Sequence, residues 1–581
     1  MSLKKEMKEE IKNCQNCKKD FTIEPDDFGF YEKIKVPLPT WCPDCRLQRR
    51  LAFRNERTFY KRPCDLCGAD TLSRFDPDRG IVNYCGECWW SDNWDTTSYG
   101  QDYDFSRPFF EQFKELLKKV PQQNLITMYK TLTNSSFVNM NHYLKDCYYL
   151  FNSDYNEKCM YGEELEHCMN CVDLTMAEGT ELAYESVNCN KCYEIYYSVD
   201  CESSHDIWFS KNLVGCSNCF GCINLRSQQY CIFNEKYTRE DYLKKLEEFD
   251  LNLYSFVKEI KKQSHEFWLK SPNKYMHGIQ NLDSNGDYIY HSKYVKNSYV
   301  VEGGEYCKYC MWLIVKNNKE CYDLTQFGQN TELVYESLCS GKDINRIIGG
   351  INSVEGRDLT YAVYCYNNNS NLFGCVSMKN KSYCILNKEY TKEEYEELVP
   401  KIIKHMSDMP YVDKKGRTYV YGDFFPTEIA QFNYNETSAQ EFFPLTKEEA
   451  KEKGYSWKEP KERNYKISIK PEDLPDNIKD TQDNIISQII GCEHEGLCKE
   501  QCTTAFKITE SEFQFYKLKN LPLPRLCPNC RHYQRVLQRN PNKLWHRKCM
   551  KEGCGNEFET SYAPDSPGII YCEDCYKQEV Y

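Results

Sequence analysis

The residues best placed to do chemistry are cysteines. The chain of 581 residues carries 35 of them, and sixteen fall into pairs near its two ends. In front stand Cys14, Cys17, Cys42, Cys45, Cys64, Cys67, Cys85 and Cys88; behind stand Cys498, Cys502, Cys527, Cys530, Cys549, Cys554, Cys572 and Cys575. The gap Cys17–Cys42 holds 24 residues, as does Cys502–Cys527; Cys45–Cys64 and Cys530–Cys549 both hold 18, and Cys67–Cys85 and Cys554–Cys572 both hold 17. Three equal gaps in two copies mark an internal duplication. Paired thiolates are soft ligands, and two pairs brought together complete a tetrahedron around Zn²⁺. With all four places filled by Cys, no position is left for a reacting water, so the expected role is structural, with four Zn²⁺ per chain. Redox dithiols are the competing reading of single C-x2-C pairs.

Other residues repeat at the same offset. Phe21, Phe28, Pro37 and Pro39 match Phe506, Phe513, Pro522 and Pro524, and "VPLPTWCPDCR" in front returns as "LPLPRLCPNCR" behind. The pattern C-x2/3-C…F…FY…LPxPxxCPxCR resembles the bacterial treble-clef zinc-binding domain family. The following C-x2/4-C-x17-C-x2-C, ending "YCGEC" or "YCEDC", resembles the small zinc-ribbon family. The resemblance covers roughly 80 residues at each end. It implies zinc at the sixteen cysteines named above and no settled activity. The longer spacings 498–502 and 549–554 depart from the simplest pattern, and Cys492 and His494 in "GCEHEGLC" receive no role.

Each first zinc site runs into a basic stretch. Arg46, Arg50 and Arg54, and in the other copy Arg531, Arg535 and Arg539, recur at i, i+4, i+8 and share one helical face. The plain reading is a solvated helix, but like charges at that spacing disfavour an isolated helix, which favours an anionic partner. Two partners fit. One is nucleic acid, RNA or DNA, contacted through phosphates. The other is an acidic surface of the same chain.

The centre must position these ends, and it is doubled too. "CVDLTMAEGTELAYES" at 171–186 returns as "CYDLTQFGQNTELVYES" at 321–337, and "FGCINLRSQQYCIFNEKYTREDY" at 220–242 as "FGCVSMKNKSYCILNKEYTKEEY" at 373–395. Short apolar–aromatic runs recur every 10–12 residues between Asn, Asp, Ser and Gly, which predicts a stacked β-solenoid with two runs per coil of about 22 residues. Thr238 with Asp241 and Thr391 with Glu394 read as capping boxes of closing helices. The central cysteines read as small buried hydrophobes rather than ligands. Eleven stand in the first copy against seven in the second, and Cys147 aligns with Ser298.

The expected class is therefore a multidomain, mainly β protein: paired treble-clef and zinc-ribbon modules at both termini flank a duplicated β-solenoid-like centre with short helices. The expected organisation is tandem zinc modules over 10–95 and a helical connector over 100–134. A first Tyr/Cys-rich solenoid repeat with closing helix (135–250), a helical linker (251–289) and a second repeat with closing helix (290–405) follow. An irregular linker (406–490) and tandem zinc modules (491–581) complete the chain.

Composition narrows function. No apolar run approaches the roughly 18 residues of a membrane span, and "MSLKKEMKEEIKNC" has no apolar signal core, so a reducing cytoplasmic setting is expected. Formal charge is −12, so any nucleic-acid contact must be a local basic patch. No nucleophile elbow, phosphate loop, dinucleotide fingerprint or HExxH is present, and the ten histidines lack ligand spacing. The leading reading is a non-enzymatic zinc protein that binds nucleic acid through its basic zinc-module helices. The alternative is a protein-interaction scaffold with a solenoid binding face, and the third an enzyme with an unrecognised carboxylate site.

Overall fold

A computed structural model describes residues 8–459 and 465–581; residues 460–464 of the expected linker lie outside the described set. The centre forms two parallel β-solenoid lobes. Strands from Asn139–His142 to Gln229–Ile232, with Glu235–Lys236, form a 10-stranded sheet, and strands from Gly278–Ile279 to Lys388–Glu389 form a 12-stranded one.

The coil is shorter than the sequence pattern implies. In the first lobe Val172 lies beside Tyr184, Tyr184 beside Tyr196, Tyr196 beside Trp208 and Trp208 beside Phe220, a step of 12 residues each time. Each 10–12-residue run is thus one whole coil, not half of a 22-residue one. The coil has four sides of three residues. Positive φ recurs at every third residue, as at Tyr143, Asp146, Tyr149, Asn152 and Tyr155 (φ 48 to 57). Non-glycine residues in that region cost about 1–2 kcal/mol each. Here every corner is held on both sides: the amide of Asp146 donates to the Thr133 carbonyl and that of Lys145 to the Asn156 carbonyl. In the second lobe some steps lengthen to 13, as from Tyr322 to Tyr335 and on to Ile348.

A three-residue side also turns every third residue inward. Leu144, Cys147, Leu150, Ser153, Asn156 and Cys159 are all buried in series. The bore is narrow, so it takes Cys, Ser, Thr, Ala and single aliphatics. The central C-x2-C spacings, such as Cys168–Cys171 and Cys189–Cys192, arise from this register. Their thiols donate to backbone carbonyls two residues back and nine ahead: Cys168 Sγ reaches the Glu166 and Ala177 oxygens at 3.5 and 3.3 Å.

Both lobes close with helices at the expected capping residues, and of the two expected capping boxes only Thr391 with Glu394 is complete. Thr238 caps the helix Arg239–Leu246 and Thr391 caps Lys392–Asp408, each accepting from the backbone amide three residues on. Two further helices, Phe109–Lys119 and Tyr254–Trp268, follow the front module and the first closing helix.

The ends do not pack in chain order. The front cysteine module, the helix Phe109–Lys119 and the linker aromatics Tyr419, Phe424 and Phe425 share one core with the second lobe. The back module shares another with the first lobe and the helix Tyr254–Trp268. Equivalent contacts recur on the two sides: Tyr31 meets Tyr335 edge-on at 5.5 Å, and Tyr516 meets Tyr184 at 5.5 Å. The chain is thus crossed, each end covering the opposite lobe.

Candidate metal centres and the arginine helices

All four cysteine groups are built alike. A short antiparallel hairpin supplies the first two cysteines; the third caps a helix whose first turn carries the fourth. The helices are Pro43–Leu51, Gly86–Trp90, Pro528–Val536 and Glu573–Val580, with Cys42, Cys85, Cys527 and Cys572 at their N-caps. A helix N-terminus favours thiolate there. In each group the capping cysteine's amide donates to the first cysteine's sulfur: Cys42 to Cys14 (3.2 Å), Cys85 to Cys64 (3.2 Å), Cys527 to Cys492 (3.2 Å) and Cys572 to Cys549 (3.3 Å).

That recurring bond corrects one expected ligand. In the third group the first sulfur is Cys492, not Cys498. Cys492 follows the strand Ile490–Gly491 as Cys14 follows Glu10–Asn13, and its amide bonds the Thr504 carbonyl as that of Cys14 bonds Lys19. Spacing misled because nine residues lie between Cys492 and Cys502, where two lie between Cys14 and Cys17. The cysteine nearest to Cys502 looked like its partner.

Four four-cysteine groups result: Cys14/Cys17/Cys42/Cys45, Cys64/Cys67/Cys85/Cys88, Cys492/Cys502/Cys527/Cys530 and Cys549/Cys554/Cys572/Cys575. Neighbouring sulfurs stand 3.7 Å (Cys17–Cys42), 4.0 Å (Cys67–Cys85), 3.5 Å (Cys527–Cys530) and 3.9 Å (Cys554–Cys572) apart. A tetrahedron of sulfurs about 2.3 Å from one ion has edges of about 3.8 Å. The groups fit a four-coordinate metal ion.

The arginines are not at the surface. Arg46, Arg50 and Arg54 are 1%, 0% and 4% exposed, Arg531 and Arg535 are 6% and 1% exposed, and the Arg539 side chain is 9% exposed. The structure therefore corrects their assignment as nucleic-acid contacts: they have no access to a phosphate. Arg46, Arg50, Arg531 and Arg535 are ion-paired with the opposite lobe, in two matching sets. In front, Arg46 and Arg50 bind the two oxygens of Asp323 at 2.8 and 3.0 Å, and Arg50 Nε donates to Thr325 Oγ1 at 3.0 Å. Behind, Arg531 and Arg535 bind the two oxygens of Asp173 at 2.9 and 2.7 Å, and Arg535 Nε donates to Thr175 Oγ1 at 3.2 Å. Asp173 and Asp323 are the aspartates of the repeated "CVDLT" and "CYDLT". That duplication was visible in the sequence; that it forms the sockets for the arginines was not. In front, Glu336 adds a second carboxylate, 2.7 Å from Arg49 and 3.0 Å from Arg50. Burial alone would lower the pKa of Arg46, but Asp323 and Tyr31 overcome it and hold the guanidinium charged. Arg54 pairs with Glu56, and Arg539 lies 3.8 Å from Glu164.

Between the two sockets lies a buried polar cluster. His532 Nε2 stands 2.9 Å from Glu441 and 3.3 Å from Glu163, and Arg57 is 3.3 Å from Glu163. Burial pushes the carboxyl of Glu441 up to about 7, helped by Glu56, and that of Glu164 up to about 8 against the pull of Arg539. Burial also drives His532 well below the usual imidazole range, and Arg57, Arg535 and Arg539 reinforce it.

Among the described residues no helix is long and apolar enough to cross a membrane. No protein-family model matches the chain and no curated protein matches it, so the likeness of the ends to two zinc-binding families rests on the motifs alone.

Proposed function

We propose that the protein is a non-enzymatic scaffold in which four structural Zn²⁺ ions brace two β-solenoid lobes, and that its contacts with other proteins lie on the lobes. The observation that carries this reading is the crossed docking: each arginine helix is locked into the opposite lobe by Asp323 or Asp173. The zinc modules act as clamps. Zinc is the ion favoured by closed, all-thiolate tetrahedra at these sulfur spacings. A solenoid repeats its outward positions coil after coil and so offers a regular row of side chains to an extended partner. Such rows exist on both lobes at the same repeat positions. Tyr143 stacks on Tyr155 at 4.7 Å, and Tyr294 on Tyr306 at 4.8 Å, all four rings well exposed.

The test sets this reading against nucleic acid. Purified protein is assayed for co-purifying nucleic acid by its A260/A280 ratio and for RNA and DNA binding across a salt series. The scaffold reading expects a protein-like ratio and no binding that weakens with salt. Tight binding to single strands with a log–log salt slope of about −4 or steeper would require about six phosphate contacts and would restore the nucleic-acid reading.

A further inference from the structure

The insertion that hid Cys492 carries three metal-binding side chains of its own. His494, Cys498 and Glu500 converge on one ligand of the neighbouring four-cysteine group, and the donor atoms of His494, Cys498, Glu500 and Cys530 all lie within 4.8 Å of one another. We propose that these four residues form a fifth metal site, sharing the Cys530 thiolate with the Cys492/Cys502/Cys527/Cys530 centre. The back module would then hold a thiolate-bridged pair of divalent ions, zinc by ligand type.

Three observations point the same way. First, Cys498 Sγ is 3.7 Å from Cys530 Sγ, the same edge length as within the four-cysteine groups, yet Cys498 stands outside the group to which Cys530 belongs. Second, His494 Nδ1 and Glu500 Oε2 face each other at 3.0 Å, are both sealed from solvent, and neither has a hydrogen-bond partner among the described residues. A plain ion pair would align the imidazole N–H on the carboxylate; two unpaired buried atoms gathered with two sulfurs are what an ion would satisfy. Third, the front module shows the same sulfur without an insertion. There Asn16 Nδ2 donates to Cys45 Sγ at 3.2 Å, so the lone pair beyond the metal group is taken by an amide. Cys45 and Cys530 are duplicates; only the second meets metal-binding side chains. Charge agrees as well: a dication bound to one further thiolate, one carboxylate and a neutral imidazole adds no net charge to the module.

The experiment measures metal per chain on full-length protein, then replaces zinc by Co²⁺ and records electron paramagnetic resonance at low temperature. Wild type should hold one ion more than the all-cysteine groups take. Cys498→Ser and His494→Ala should each lose that one ion and no other. Glu500→Gln, which keeps the side-chain shape, should release it at a lower chelator concentration. Two Co²⁺ ions sharing a thiolate couple antiferromagnetically, so Cys498→Ser should gain one uncoupled Co²⁺ signal. A wild-type count equal to the number of all-cysteine groups overturns the proposal. So does an extra ion that survives all three substitutions, since it sits elsewhere. Loss of an ion from an all-cysteine group in Cys498→Ser overturns it too, because Cys498 would then be a primary ligand.

Discussion

The front and back cysteine modules share a duplicated plan but hold their lobes differently. In front, the helix Pro43–Leu51 sets three arginines, Arg46, Arg49 and Arg50, against two carboxylates, Asp323 and Glu336. Behind, Pro528–Val536 sets Arg531 and Arg535 against Asp173, with Glu512 from its own module beside Arg531. Where the front helix buries Leu47 in an apolar cluster, the back helix buries His532 among acids. The knuckles differ too, plain at Cys14–Cys17 and enlarged at Cys492–Cys502. What both copies keep is the tetrahedral group and the aspartate socket, which identifies these as what the architecture needs. What differs is polar and titratable on both sides: the Arg49–Glu336 pair in front, and His532 among acids behind.

The largest test of the comparison removes first ligands. Cys14→Ser and Cys492→Ser should each release one metal ion and unfold the module around it, because binding at a structural zinc site contributes on the order of 10–16 kcal/mol to folding. Zinc release with a chromogenic chelator and circular dichroism check this. If Cys492→Ser retains its ion, the equivalence drawn from the amide–sulfur bonds is broken.

Next come the sockets. Asp173→Ala and Asp323→Ala each take a carboxylate away from buried guanidinium groups, which costs up to about 3–5 kcal/mol. Asp173→Ala should be the more damaging, because Arg535 is ion-paired with no other carboxylate among the described residues, whereas Arg50 keeps Glu336 at 3.0 Å. Urea unfolding at fixed pH measures both. Equal losses would show that Glu336 does not support the front socket.

These sockets also mark how far the sequence could be read. The ligand spacing was legible because a tetrahedral cysteine group fixes it locally, and fifteen of the sixteen expected ligands stand in the four-cysteine groups. The arginine stripe was legible as a charge in need of a partner. Its partner was not, since Asp323 is 277 residues from Arg46 and nothing local joins them. The solenoid was legible from its rhythm, but its coil was not. A half-buried strand alternates with period two, whereas this wall has period three, with one residue in, one along the wall and one at the corner. Cysteines at C-x2-C spacing thus mean opposite things in the two regions: a metal knuckle at the ends, and successive inward positions in the centre.

A smaller effect isolates the acidic cluster between the two sockets. Glu441 and Glu164 have folded pKa values raised to about 7 and about 8 from the ordinary 4.5. For a carboxyl raised on folding, the stabilising contribution is complete below its unfolded pKa and is lost as pH rises through the folded one. Stability should therefore fall between about pH 5 and 8. Glu441→Gln cannot ionise and should flatten that slope. Comparing denaturation of wild type and Glu441→Gln at each pH cancels the four-cysteine groups, which both proteins share. A parallel offset with no change of slope would mean that Glu441 does not titrate in this window.

The smallest expected change compares the two lobes. Cys147 and Ser298 occupy the same inward position. Cys147 Sγ donates to the Lys145 carbonyl at 3.3 Å, and Ser298 Oγ to the Lys296 carbonyl at 2.8 Å. The next coil's amide comes down on the serine oxygen in one lobe, Cys310 N to Ser298 Oγ at 3.0 Å, and in the other the amide of Cys147 itself comes down on Ser135 Oγ at 3.1 Å. The position thus asks for a small side chain with one donor and one acceptor, and sulfur and oxygen both supply it. Cys147→Ser exchanges a buried thiol for a hydroxyl that already has its partners in place, so the cost should stay within about 1–2 kcal/mol. Ser298→Cys, the reverse exchange, should be equally mild, since the bulkier sulfur enters a bore that accepts it elsewhere at Cys307 and Cys310. Thermal unfolding of the two variants reads both. Collapse of the first lobe on the single change at Cys147, with a matching loss of metal, would show that this thiol is a ligand rather than filling, and the two lobes would then differ in chemistry and not only in packing.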